Sequence, residues 1–350
     1  MTPLDALTQA YERGWQPADV IHVTQRALDA ALAGSAAALI LQESQRSRAW
    51  SRAPQQWLDQ LRTIADAHPG TDRNAPIDQA HARSLGFLWQ HLGHWTALCP
   101  PPSAWPGQRS ESTTQPPRQA DPKVLNKIRG LLAKAESTEF TEEAETLTAK
   151  AQELMTRYAI SSALLEARAP GFGVTVHSRR VHLDNPYVKQ KALLLTSIGN
   201  ANQVQTLYNS RMATATMVGS PVDLEQVEML FTSLLIQATR AMHKAGEDGS
   251  RTASFRKAFL FGFAIRIGQR LTEAGKAATA RAVVDSDVQF GDLLPILAGR
   301  AAAVQAEVDR LFGPTKKTWG HSAVDPQGVL AGRTAADAAT LSAGGQAIAG

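Results

Sequence analysis

Six prolines fall within residues 100–120, at Pro100, Pro101, Pro102, Pro106, Pro116 and Pro117, among Ser, Thr, Gln and Arg. Proline fixes φ and has no amide hydrogen, so such a stretch neither continues a helix nor sits inside a sheet. Its polar neighbours bury little surface. The stretch reads as an inter-domain linker that cuts a 350-residue chain into two folding parts. With 43% hydrophobic and 19% charged residues, both parts can build a core.

Composition excludes several classes. A single cysteine, Cys99, forms no intramolecular disulfide and no cysteine-rich zinc cage, and a reducing cytosol is the simplest compartment. The longest uncharged small-apolar run, Ala30 to Leu41, has 12 residues, short of the ~20 that a membrane span needs. The first residues, Met1-Thr2-Pro3-Leu4-Asp5, lack the basic-then-apolar pattern of a secretory signal. The expectation is therefore a cytoplasmic protein without a membrane span. The net charge of +4 permits nucleic acid as a partner without demanding it. Its location is more informative. Residues 1–120 balance ten arginines against ten acids, whereas residues 251–350 hold twelve basic and eight acidic groups.

The expected fold is α-rich and α+β. Before the linker, Val20, Ile21, Ala27, Leu28, Ala31 and Leu32 recur at helical spacing, with further helices near 35–49, 54–67 and 76–98. Residues 1–99 thus read as an all-helical domain. After the linker, Asp121-Pro122 opens a helix whose apolar face is Ile128, Leu131, Leu132 and Ala135. Thr141 opens a second, with Ala144, Leu147, Ala151, Leu154, Met155 and Tyr158 on one face. These make a helical hairpin at 121–168. Residues 171–313 follow as an α+β domain. Its expected strands lie in 171–183, 203–208 and 212–218, and its long helices start near Pro221 and Ala253. The Gly/Ala-rich end, 314–350, reads as a flexible tail.

The hairpin carries a family signal. The run Lys127-Ile128-Arg129-Gly130-Leu131-Leu132-Ala133-Lys134-Ala135-Glu136-Ser137-Thr138 is followed by Thr141-Glu142-Glu143-Ala144-Glu145 and Ala149-Lys150-Ala151-Gln152-Glu153-Leu154-Met155. Over about 123–162 this closely resembles a bacterial and phage family catalogued as a domain of unknown function, DUF2786. Ser254 to Leu260 looks like the α+β region that often follows that domain. The tryptophan-bearing region before the linker resembles the N-terminal extension of actinobacterial members. The resemblance implies a family and an architecture, and no activity.

The most suggestive segment is Arg251 to Arg281, with seven basic residues and one acid, Glu273. At about 100° per residue, Leu260, Phe263, Ala264, Ile267 and Leu271 form a core stripe. Arg256, Arg266 and Arg270 line one flank of it, among Phe255 and Phe259. Arg266 and Arg270 are also a like-charge i, i+4 pair, which favours an anionic partner. Phosphates would serve, with phenylalanines stacking on bases. Carboxylates would serve too, from an acidic protein or from Glu225 and Glu228 in this chain.

Other candidates are weaker. Lys123, Lys127, Arg129 and Lys134 on the hairpin could contact phosphates, or pair with Glu142, Glu143, Glu145 and Glu153 of the second helix. His81, His91, His94 and Cys99 could hold a metal, as could His177, His182 and Asp184. Gly219-Ser220-Pro221 could hold an anion at a helix start, or simply cap it. There is no Walker loop, dinucleotide fingerprint, His-Glu-x-x-His or nucleophile elbow, so no cofactor is expected. The reading favours a binding protein associated with nucleic acid or an acidic protein. The alternatives are a metal-dependent enzyme and a protein–protein adaptor built on the N-terminal helices.

Overall fold

The computed structural model describes residues 1–28, 32–69, 77–107, 122–137, 141–168, 174–247, 252–285, 290–313 and 325–338. Asp121, Phe172 and Arg251 lie outside these residues, as do the side chains of Glu142, Glu143 and Glu145. The chain divides into two compact units, Met1–Gln115 and Pro116–Gly350.

The first unit is helical: α1 (Pro3–Glu12), α2 (Pro17–Ala27), α3 (Leu32–Arg46), α4 (Ala49–Arg52), α5 (Gln55–Ala67) and α6 (Gln79–Gln90). Helix α1 stands before the first helix read from periodicity. A capping box starts it, with the Thr2 hydroxyl accepting from the Asp5 amide and the Asp5 carboxylate accepting from the Thr2 amide. Helix α6 ends at Gln90, short of residue 98, where Arg13 donates to the carbonyls of Trp89 and Gln90. The start of the proline-rich stretch is not a bare linker. Trp105 is buried, its ring 5.1 Å edge-on from that of Trp57, which in turn meets Tyr11 at 4.8 Å. Arg52 donates to the carbonyls of Trp105 and Pro106. Aromatic burial here outweighs the proline-rich composition.

The second unit contains α7 (Pro122–Ser137), α8 (Thr141–Arg168), β1 (His177–His182), α9 (Val188–Ala201), β2 (Gln205–Asn209), β3 (Thr214–Gly219), α10 (Pro221–Glu247), α11 (Ala253–Asp285), α12 (Phe290–Phe312) and α13 (Pro326–Ala338). The strands form an antiparallel sheet in the order β1-β3-β2, so β3 lies between two strands joined by α9, a split βαβ arrangement. Ala215 and Met217 face a core shared with α7, α8, α9, α10 and α11. Val218 faces the other way, onto Val304 and Val308 of α12. The hairpin is part of this core through Ile128, Leu132, Ala151 and Met155.

The largest departure from expectation is α13, inside the segment read as a flexible tail. Its Gly and Ala residues carry little hydrophobic signal, yet they let it approach α11 closely. A Cβ on Gly332 would lie 2.0 Å from the carbonyl oxygen of Phe259, and one on Gly328 2.7 Å from that of Phe255. Small size, not hydrophobicity, makes this helix fit.

One buried acid stands out in the first unit. Glu43 on α3 is 2% exposed, and its carboxylate accepts from Thr8 at 3.5 Å and Ser47 at 3.4 Å. Burial pushes its pKa up from 4.5 to about 7, with Glu12 adding repulsion and Ser47, Thr8 and Arg46 opposing. A raised folded-state pKa gives stability that is complete below the unfolded value and is lost as pH rises through the folded one. The first unit is therefore about 2 kcal/mol more stable at pH 5.5 than at pH 8 through this group. Six of the seven tryptophans lie in residues 1–107, so tryptophan fluorescence during urea unfolding of the full chain reads this unit. Glu43→Gln should abolish that part of the pH dependence; an unchanged dependence would contradict the assignment.

Candidate functional site

The flank of α11 that carries Arg256, Arg266, Arg270, Phe255 and Phe259 faces into the protein. Phe255 and Phe259 are 6% and 0% exposed and belong to the main core. Their rings run along α11 with Phe263 at centroid spacings of 6.4 and 6.5 Å. Arg270, 8% exposed, donates to the carbonyl oxygens of Ala336 and Asp337, the last turn of α13. Those carbonyls have no intrahelical donor, and a cation there also complements the helix dipole. Arg266 pairs with the Asp337 carboxylate at 2.5 Å. Arg256 is half-buried. The acceptors that Arg266 and Arg270 require are thus met within the chain, at the end of α13. Glu225 and Glu228 are engaged elsewhere. Glu225 pairs with Arg129 of α7 at 2.8 Å and Glu228 with Arg179 of β1.

The outward side of the same helix is different. Lys257, Phe261, Ile265, Thr272 and Lys276 fall within an arc of about 100° and are all exposed. Phe261 and Ile265 are each 37% exposed, two partly uncovered apolar side chains among polar neighbours. Toward its C-terminal end this stripe enters a depression of about 410 Å³ between α9 and α11. Ser197, Asn200, Gly268, Gln269, Thr272, Glu273 and Lys276 line it. Its floor is the helix crossing at Gly268, where a Cβ would lie 3.0 Å from Ser197 Cβ. Two amides and two hydroxyls, with Glu273 and Lys276, therefore line an open, shallow depression. Sequence reasoning assigned no role to this side of α11; Phe261 at i+4 from Lys257 was the available signal.

A second depression, about 300 Å³, lies between α7 and α10 and is lined by Arg129, Leu132, Ala133, Glu228, Met229, Thr232 and Ser233. Burial pushes the Glu228 carboxyl up against the opposing pull of Arg179. Its charged groups are spent on the two Arg–Glu pairs above, which makes it a junction between α7, β1 and α10.

The histidine sites do not assemble. His177 and His182 are five residues apart on β1, so their side chains leave opposite faces of the sheet. Asp184 lies beyond the strand and is exposed. The His91 ring lies 4.3 Å from that of Phe87, tilted by 42°, His81 contacts Ser35, and Cys99 accepts from Gln16 at 3.1 Å. Among the described residues no group of three or more His, Cys, Asp or Glu could hold a metal ion. The start of α10 is ordinary cap chemistry. The Ser220 hydroxyl accepts from the Asp223 amide and donates to the Asp223 carboxylate. On the hairpin, Glu153 pairs with Lys150 and Arg157 of its own helix. Among the described residues, no helix is long and apolar enough to cross a membrane.

Comparison with known proteins adds one result. Residues 123–162 match the family described as "Protein of unknown function (DUF2786)". Neither the curated proteins nor the solved structures yield a match.

The close α11–α13 contact predicts a sharp response to a single methyl. Gly332→Ala forces α13 away from the Phe259 carbonyl and destabilises the second unit by roughly 1–3 kcal/mol, as overpacking does. Thermal unfolding followed by far-UV circular dichroism measures this; an unchanged midpoint would contradict the packing described.

Proposed function

We propose that the second unit binds single-stranded nucleic acid through the outward side of α11. One observation carries this reading: an exposed phenylalanine, Phe261, stands on the stripe that runs between Lys257 and Lys276 and into an amide-lined groove. A base stacked on Phe261 needs no particular sequence, because every base has a π-face. Gln269 and Asn200 offer both donors and acceptors to a base edge. Lys257 and Lys276 stand ~29 Å apart along the helix, placed to meet phosphates on either side. Single strands fit better than duplex, since a stacked duplex hides the base faces from Phe261.

In this reading the ligand meets α11 on the side away from the residues named from the sequence. Arg266 and Arg270 hold α13, and α11 meets the ligand with Lys257, Phe261, Gln269 and Lys276. A binding role is also favoured over catalysis by the contents of the groove. Its one acid, Glu273, and one cation, Lys276, stand beside amides and hydroxyls, without a histidine or cysteine.

Fluorescence anisotropy with labelled single-stranded oligonucleotides, measured across a salt series, tests the reading. Phe261→Ala should weaken binding about tenfold, in the range expected for one lost stack. Its circular dichroism spectrum should stay that of the wild type, because Phe261 is exposed. Absence of any salt-dependent binding by the wild-type chain would overturn the proposal.

A further inference from the structure

We infer that the depression between α9 and α11 prefers guanine among the bases of a bound strand; this rests on the nucleic-acid reading above and names what that site selects. Stacking on Phe261 is indifferent to base identity. A preference therefore has to come from hydrogen bonds in the depression. Glu273 is the first observation. It is the one acid between Arg251 and Arg281, a segment with seven basic residues. Yet it stands exposed at the lining of the depression, and its side chain makes no hydrogen bond or ion pair with another described residue. A carboxylate there repels phosphates, so on a surface that only holds a strand by charge it weakens binding. It gains a use where it meets a group that donates.

Gln269 is the second observation. It lies four residues before Glu273, its neighbour on the surface of α11. Its Oε1 accepts from Arg266 at 3.3 Å. Arginine only donates, so the amide oxygen faces Arg266 and the NH2 group is left for a ligand. Helix α11 thus sets a pair of acceptors, the Glu273 carboxylate, beside a donor, the Gln269 amide. The Watson–Crick edge of guanine is the complement. Its N1–H and N2 amino group donate side by side, and O6 next to them accepts. Two parallel N–H donors match two carboxylate oxygens, as an arginine fork does. The other bases do not match. Cytosine and adenine each place one amino donor beside a ring-nitrogen acceptor, and thymine places one N–H between two carbonyls. Each turns a lone pair towards the carboxylate. In a single strand this edge is free to be read. Ser197 and Asn200 bound the depression from α9, and Lys276 stays with the phosphates.

The test uses the full chain and labelled thymine tracts of about twelve nucleotides, within the range of ordinary single-strand sites. Fluorescence anisotropy compares the unbroken tract with tracts carrying one central guanine, adenine, cytosine or inosine. The guanine tract should bind about tenfold more tightly than the unbroken one, the scale of one bidentate contact. Inosine lacks the N2 amino group and should lose most of that gain. Glu273→Gln should remove the guanine preference and bind the unbroken tract at least as tightly as the wild type does, because a repelling charge is gone. Glu273 is exposed, so the circular dichroism spectrum should not change. Equal affinity for all the tracts, or a guanine preference that survives Glu273→Gln, would overturn the inference. If Phe261→Ala weakens binding while the tracts bind alike, the α11 reading stands and this one falls. If Glu273→Gln abolishes the guanine preference while Phe261→Ala is silent, the guanine site stands and the stack on Phe261 falls.

Discussion

Contact between the backbones of α11 and α13 organises the second unit. Gly328 and Gly332 let α13 lie against the carbonyls of Phe255 and Phe259. That approach brings the end of α13 within reach of Arg270 and Arg266. Once α13 is seated, Phe255 and Phe259 are core, and two arginines are committed to one helix terminus. The buried contact of Arg270 is worth more than a surface ion pair, because it satisfies carbonyls that burial would otherwise strand. With that flank closed, the opposite side of α11 is the one left exposed. The role proposed for Lys257, Phe261, Gln269 and Lys276 starts from where α13 lies.

Both units bury polar groups along their elements as well as at helix ends. In the second, Gln152, Gln226 and Ser233 are buried along helices, while Ser220 caps α10 with Asp223 and Arg270 meets the end of α13. In the first, Gln16, Asp19, Thr24 and Ser44 are buried. Gln60 donates to Gln16 at 2.7 Å, the Gln16 amide donates to Asp19 at 3.0 Å, and Trp89 donates to Thr24 at 3.1 Å. Glu43 is the exception within that pattern, a carboxylate held by two long hydroxyl contacts. A core of this kind specifies partners among its own helices through hydrogen bonds as much as through shape. It also makes the first unit responsive to pH near neutrality, a property its balanced charge does not reveal.

Much of the architecture was legible. The strands, the hairpin and the long helices α10 and α11 follow from hydrophobic period and from caps such as Ser220, since these are local signals. Three features were not. Helix α13 has a Gly/Ala sequence whose meaning lies in its neighbour's backbone. Trp105 lies in a proline-rich run, and its burial depends on Trp57, 48 positions earlier. The core stripe of α11 was identified correctly from Phe263, Ala264, Ile267 and Leu271. The flank that α13 covers was not, because a helical wheel orders residues around an axis without saying which neighbours arrive. For the same reason Arg129 was expected to meet acids on α8 and instead meets Glu225 on α10. Charge partners are set by tertiary contact, and sequence spacing predicts only those within one helix, as with Glu153 and Arg157.

The central claim, that the outward side of α11 meets single-stranded nucleic acid, is tested most directly by photo-cross-linking. A single-stranded oligonucleotide carrying a photoreactive base is irradiated with the full chain, and the adducted peptides are identified by mass spectrometry. The account predicts adducts in the peptide containing Phe261, suppressed at high salt. Adducts confined to the first unit, or none on α11 under conditions where binding is measured, would contradict it.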